Sequence, residues 1–347
     1  MAGLAVALLP TACGGADPPR PDIALLPDPA ASGHLWDWTA QCPFGPARSE
    51  GCGPAGPVLG LAQLNGDEWN LGGAPGEGSV SMSVGARGTV TIDGSFRGTP
   101  PCTEPTCLAP SAYTWVRGYP SVLYGINQCH AGTSPPVSGR LPLPMRLTSI
   151  PPRLVGVTAY SASTAHVTYD IAYDLWLHQT GTRHPCTSEG TLEIMVWTDY
   201  DARALLPASM RVGTVSIPVA VDGAVRPRAQ AWSVYASNID AGGRTAPWGG
   251  TLWFVPSRAD IVGHGLLSVD LSAVFSAAGL LLRHDYGWPE LAARYWLDTA
   301  SFGVEFGPAS GNPLDSGPSR FSAQISAYCL DVRSTITSAS CAQGPGG

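Results

Sequence analysis

The sequence contains no lysine. All 19 of its basic residues are arginine. A chain without lysine cannot build a P-loop, a Schiff base or an S-x-x-K acylation site. Charge of either sign is sparse, at 13% of residues, and the net charge is −7. That balance excludes nucleic acid as the expected partner, because phosphate binding needs a basic face. No stretch reaches the roughly 20 apolar residues of a membrane span. No C-x-x-C occurs, and the nine cysteines and seven histidines fall into no zinc-ligand spacing, so no zinc site is expected. Glutamate is also scarce, with eight in 347 residues, which makes the search for a catalytic carboxylate pair short.

What the chain does have is turns and short β-like runs. There are 42 glycines and 33 prolines, and little helical periodicity. From about Trp36 to about Tyr328 short runs such as SVSMSV, GTVTID, TLEIMVWTDY, GTVSIPVAV, GTLWFVP and FSAQISAY alternate with Gly/Pro turns. This spacing predicts an all-β sandwich or jelly roll. One helix is predicted, capped by Asp270, with Leu271, Val274, Phe275, Ala278, Leu281 and Leu282 on the stripe that docks on a sheet.

The ends read differently. Residues 1–13 are apolar and rich in small residues, and two readings stand: a secretory leader, or a bacterial lipobox with lipid attached at Cys13. Residues 14–33 are Pro- and Ala-rich and read as a tether. The main domain is expected at 34–328 and a stapled tail at 329–347. The close cysteine pairs Cys42/Cys52, Cys102/Cys107 and Cys329/Cys341 read as disulfides, which implies a secreted or otherwise extracytoplasmic protein. A monomer is expected.

Most glutamates need no special account. Glu50, Glu77, Glu104 and Glu189 lie in Gly/Pro/Ser-rich loops, and Glu290 opens a short helical turn. Glu68 suits either a solvated face or a cleft. Glu193 and Glu305 are different, because both interrupt apolar strands. Side chains alternate along a strand. Leu192, Ile194 and Val196 therefore face one way, and Glu193, Met195 and Trp197 the other. Phe302, Val304 and Phe306 oppose Ser301, Gly303, Glu305 and Gly307. The missing side chains beside Glu305 suggest a cleft floor that admits a bulky substrate. In YDIAYDLWLH, Asp170, Ala172, Asp174, Trp176 and His178 share the face opposite Ile171, Tyr173, Leu175 and Leu177. Acids beside aromatic rings suit a sugar-binding groove. Pattern alone leaves open a two-carboxylate glycosidase, a non-catalytic lectin-like carbohydrate-binding protein and a structural surface lipoprotein.

The strands also resemble a known family. EIMVW at 193–197 is similar to the nucleophile strand of glycoside hydrolase family twelve, E-[IL]-M-[IV]-W. GVEF at 303–306 resembles its acid/base strand, GYPSVLYGINQCH at 118–130 its S-Y-P…G-C-H segment, and YDIAYDLWL its A-x-Y-D-[IL]-W-L strand. The resemblance covers roughly residues 60–328. It implies a jelly roll of two curved antiparallel sheets with one packed helix and a cleft on the concave face. It implies a retaining endo-β-1,4-glucanase acting on cellulose, mixed-linkage glucan or xyloglucan, with no metal or cofactor. Glu193 would be the nucleophile, Glu305 the acid/base and Asp174 the acid beside the nucleophile. Met195, Trp197, Trp176 and His130 would meet substrate, as would Trp69 and Asp67, the latter where the family has asparagine.

Overall fold

A computed structural model describes residues 23–24, 38–43, 58–59, 61–68, 77–85, 88–97, 116, 118–126, 141–181, 188–204, 206–222, 227–247, 249–261, 264–308 and 319–332. The longer strands in chain order are β1 (Trp38–Pro43), β2 (Ala62–Glu68), β3 (Glu77–Val84), β4 (Val90–Arg97) and β5 (Gly118–Gly125). Then follow β6 (Val155–Ala165), β7 (Val167–His178), β8 (Leu192–Tyr200), β9 (Arg211–Val221), β10 (Arg228–Ser237), β11 (Gly250–Pro256) and β12 (His264–Asp270). After helix α1 (Leu271–Tyr286) come β13 (Trp296–Pro308) and β14 (Ser319–Asp331).

Hydrogen bonding joins these strands into two curved layers. The first runs β2-β5-β13-β7-β8-β11-β10-β9. The second runs β9-β12-β6-β14-β4-β3-β1. Strand β9 belongs to both: its first part pairs with β10, and Val219–Val221 pair with β12. The expected jelly roll is thus present, as one sheet folded over at β9. One pairing departs from the expected antiparallel rule. The β9-β10-β11 meander folds back so that β11 lies parallel to β8.

The core lies between the layers, and the alternation read from the sequence builds it. Ile171, Tyr173, Leu175 and Leu177 of β7, Leu192, Ile194 and Val196 of β8, and Phe302, Val304 and Phe306 of β13 are all buried there. Aromatic rings bridge the layers. Phe302 lies 4.9 Å from Tyr173, 5.5 Å from Tyr160 of β6 and 6.1 Å from Tyr328 of β14. Each such side chain contributes about 1.5–3 kcal/mol on burial. Gly156 of β6 leaves room for this stack, because a Cβ there would meet the Tyr173 ring at 2.7 Å.

Helix α1 forms as its caps dictate. Asp270 accepts a hydrogen bond from the Ala273 N–H at 2.9 Å, and Gly287 ends the helix at φ 63°. Leu271, Val274, Phe275, Ala278 and Leu282 are buried, and Leu281 packs beside them over Gly213 of β9. At the chain ends, Ile23 and Ala24, within the stretch read as a tether, pair with Leu330 and Cys329. Strand β14 runs on to Asp331, past the boundary expected at 328. Cys329 is disulfide-bonded. Cys13, Cys52, Cys102, Cys107 and Cys341 lie outside the described residues, as does the side chain of Cys42.

Candidate active site

Strand β7 is the centre of the site, with β8 on one side and β13 on the other. Trp176 pairs with Glu193 and Asp174 with Met195 across β7–β8. Asp170 pairs with Glu305 and Asp174 with Ser301 across β7–β13. With the odd-numbered residues of β7 in the core, Asp170, Ala172, Asp174 and Trp176 stand on the other face. Glu193 and Glu305 join them there by the same alternation. A bulge at Ile171/Ala172 shifts the β7–β8 register and re-aims the side chains beyond it.

Four carboxyl groups meet on this face. Glu193 is half-buried, Asp174 and Glu305 are 5% and 4% exposed, and Asp170 is fully buried. Thr251 of β11, opposite Glu193 in the parallel pair, donates its hydroxyl to Glu193 Oε2 at 2.9 Å. Trp176 donates its indole N–H to Asp174 Oδ2 at 2.8 Å. Burial pushes Glu193 up to about 7, against hydrogen bonds from Thr251 and Asp174 that favour its charged form. Burial pushes Glu305 well above the usual carboxylate range, and the charge and hydrogen bond of Asp170 and the charge of Glu193 push it further. Asp174 is also held well above that range, by burial first and then by the charge of Glu193.

Asp170 is the least solvated of the four. Neither of its oxygens meets an N–H or O–H donor among the described residues. Its hydrogen bond to Glu305 therefore exists only while one of the two carboxyls keeps a proton. Burial holds Asp170 well above its ordinary range, and Asp174, Glu193 and Asp199 add negative charge around it. Two like charges this close cannot both ionise cheaply, so the Asp170–Glu305 pair retains a proton. The arrangement can hold one ionised carboxylate at Glu193 and one protonated acid at Glu305.

The other expected site residues fare differently. Trp176 is half-buried and spends its N–H on Asp174, so it positions an acid. Met195 and Trp197 share the face of Glu193 as expected, but they are not open to solvent, at 2% and 1% exposure. They pack with Ala172, Tyr200, Trp253 and Val255, and Ala204, Leu206 and Met210 of the following segment cover them. The Trp253 N–H also points at Met195 Sδ, 3.1 Å away. Asp67 lies in β2 opposite Tyr119, and its side chain, Trp69 and His130 are outside the described residues. His178, on the polar face of β7, is buried at the far end of the strand, with its Nδ1 against the Asp298 carboxyl.

The glycine beside Glu305 has a different cause from the one its sequence suggested. A Cβ on Gly303 would lie 2.4 Å from Pro120 O and 2.5 Å from Ser121 Cβ. Strand β5, not substrate, occupies that space. Two residues of the site carry no mark of function in the sequence. Thr251 reaches Glu193 only through the parallel β8–β11 pairing, and Tyr119 donates its hydroxyl to Ala172 O at 2.9 Å across β13. Asp170 had a signal, four residues before Asp174 on the same face.

No protein-family model matches the sequence, and no curated protein does. Solved structures do match. A family 12 xyloglucanase from Bacillus licheniformis in complex with ligand has a TM-score of 0.52 at 18% identity, over 85% of this chain and 100% of that one. The native form of the same enzyme gives 0.49 at 18%, over 85% and 100%. Endoglucanase 3 of Trichoderma harzianum gives 0.48 at 17%, over 85% and 97%. The chain therefore has the fold of a family 12 glycoside hydrolase, the family that its Glu193 and Glu305 strands resemble.

Proposed function

We propose that this protein is a retaining endo-β-1,4-glucanase that cleaves β-glucan by double displacement. The observation that carries the reading is the convergence of Glu193 and Glu305, with Asp174 and Asp170, in one partly closed cluster. There burial pushes Glu193 up to about 7, and burial with the charges of Asp170 and Glu193 pushes Glu305 well above the usual carboxylate range. The fold and the strand motifs support the same reading.

The chemistry follows from those two protonation states. Retention requires carboxyl groups about 5–5.5 Å apart, which leaves no room for water between the sugar and Glu193. Ionised Glu193, held by the Thr251 hydroxyl, attacks the anomeric carbon. Glu305 gives its proton to the departing glycosidic oxygen. Once Glu193 is esterified its charge is gone, and one cause of the high proton affinity of Glu305 goes with it. Glu305 then takes a proton from the incoming water, which releases the sugar. Trp176 keeps the Asp174 carboxyl fixed beside Glu193 throughout. The number of cysteines, with Cys329 disulfide-bonded, supports work outside the cytoplasm.

The test is release of reducing ends from carboxymethylcellulose, barley β-glucan and xyloglucan. The wild-type chain is expected to cleave at least one of them. Glu193→Gln and Glu305→Gln are each expected to lose about 10²–10⁴-fold or more in kcat. Binding without cleavage would instead identify a lectin-like protein.

A further inference from the structure

One buried side chain near the four acids belongs neither to them nor to the core. Tyr119 of β5 is 5% exposed, yet it joins none of the clusters formed by buried apolar residues. A tyrosine that served only to fill a core would bring its ring to one of them. This one instead carries its hydroxyl past a whole strand. Strand β13 separates β5 from β7, and the Tyr119 hydroxyl still reaches Ala172 O of β7, to which it donates at 2.9 Å. Gly303 lets β5 sit close on β13, because a Cβ there would lie 2.4 Å from Pro120 O, beside Tyr119 in the chain.

The place it holds matters to the acids. Ala172 lies midway between Asp170 and Asp174 along β7, and it flanks the bulge where the β7–β8 register shifts. Both carbonyls at that bulge accept side-chain hydroxyls. Thr198 of β8 donates to Ile171 O at 3.0 Å, and Tyr119 to Ala172 O. A bulge takes backbone groups out of the regular ladder, and a buried carbonyl needs a donor. These two ties therefore fix the bend of β7, one from the β8 side and one from the β13 side. On one side of the bend Asp174 hydrogen-bonds Glu193, and on the other Asp170 hydrogen-bonds Glu305. The bend sets how far apart these two pairs stand.

The hydroxyl stays a donor. Burial first, and then the charge of Asp174, hold it well above the ordinary tyrosine range; Tyr328 and Asp170 push the same way, and a hydrogen bond with Ser301 pushes against them. The acids around it repel one another, so a slack bend would let the two pairs drift apart. Retention needs the two catalytic carboxyls about 5–5.5 Å apart, and a misplacement of about 1 Å can cost about 10²-fold. We propose that Tyr119 is a positioning residue, which by holding Ala172 O sets the spacing between the Glu193–Asp174 pair and the Glu305–Asp170 pair. It is too buried to meet substrate and acts through β7. Its part in cleavage rests on the glucanase reading given above; its part in spacing the acids does not.

Tyr119→Phe keeps the ring and removes the hydroxyl. On barley β-glucan it is expected to lower kcat about tenfold and to leave KM within about twofold. A second arm needs no turnover. The charge of Glu193 raises the titration of Glu305, so Glu193→Gln is expected to lower it in ¹³C-glutamate NMR, and the size of that drop reports the distance between the pairs. In the Tyr119→Phe chain the drop is expected to shrink by about 0.4 pH unit, the effect of about 1 Å of added separation at an effective dielectric constant of about 20. Thr198→Val releases the other carbonyl of the bulge and is expected to shrink the drop in the same direction. A drop of the same size with and without the Tyr119 hydroxyl, or a kcat within about twofold of an active wild type, overturns the proposal, whatever happens to the melting temperature. A smaller drop in a chain that cleaves no glucan would refute the glucanase reading and leave the spacing role standing. Cleavage with an unchanged drop would do the reverse.

Discussion

Replacing Thr251 by valine isolates one interaction of the nucleophile. The side chain keeps its shape and loses only the hydroxyl that donates to Glu193 Oε2 at 2.9 Å. A hydrogen bond to a charged group is worth about 1.5–3 kcal/mol. At 1.36 kcal/mol per pH unit, its loss moves the titration of Glu193 by about 1–2 units. The direction is upward from about 7, because the lost donor favoured the charged form. Glu193 attacks only when ionised, so the acid limb of the kcat/KM profile shifts to higher pH by the same amount. At pH 6 the variant is expected to retain about a tenth to a hundredth of wild-type kcat/KM, and to recover as pH rises until the Glu305 limb intervenes. Thr251→Ser restores the donor and the original limb. An unmoved acid limb in Thr251→Val, or a serine variant that behaves like valine, refutes the role given to Thr251.

Other consequences follow from the same cluster. Asp170→Asn removes a negative neighbour and hydrogen-bond partner of Glu305, so Glu305 is expected to titrate at lower pH in ¹³C-glutamate NMR; an unchanged or higher value contradicts the shared proton. Glu193 is raised on folding from 4.5 to about 7, so its contribution to stability is greatest below pH 4.5 and is lost as pH rises through 7. Glu193→Gln is therefore expected to be about 3 kcal/mol more stable than wild type at pH 8 in urea titrations, with the gain vanishing near pH 4. Gly303→Ala places a methyl 2.4 Å from Pro120 O, and is expected to cost about 1–3 kcal/mol or more in thermal unfolding, with no gain in substrate access.

Much of this was legible in the sequence because strands advertise their faces. Alternation placed Glu193, Asp174 and Glu305 opposite the core without knowledge of which strands pair. The helix was legible from its Asp270 cap and its apolar stripe. What alternation cannot supply is the neighbour across a sheet. Thr251 is 58 residues from Glu193 and meets it through a parallel pairing set by the return of the β9-β10-β11 meander. The covering of Trp197 by Leu206 and Met210 is likewise tertiary, since those residues lie past the strand's end in a segment of no clear period. Gly303 shows the same limit: a small residue reports that something is close, and only the fold shows that it is strand β5.

The central claim is that Glu193 forms a covalent bond to sugar. A 2-deoxy-2-fluoro-β-cellobioside with a good leaving group slows hydrolysis of such an intermediate and allows mass spectrometry to locate it. The wild-type chain is expected to gain one fluorocellobiosyl group, on Glu193 in the peptide containing Thr191–Trp197, and Glu193→Gln to gain none. An active enzyme that gains no adduct, or gains it on another residue, contradicts the account.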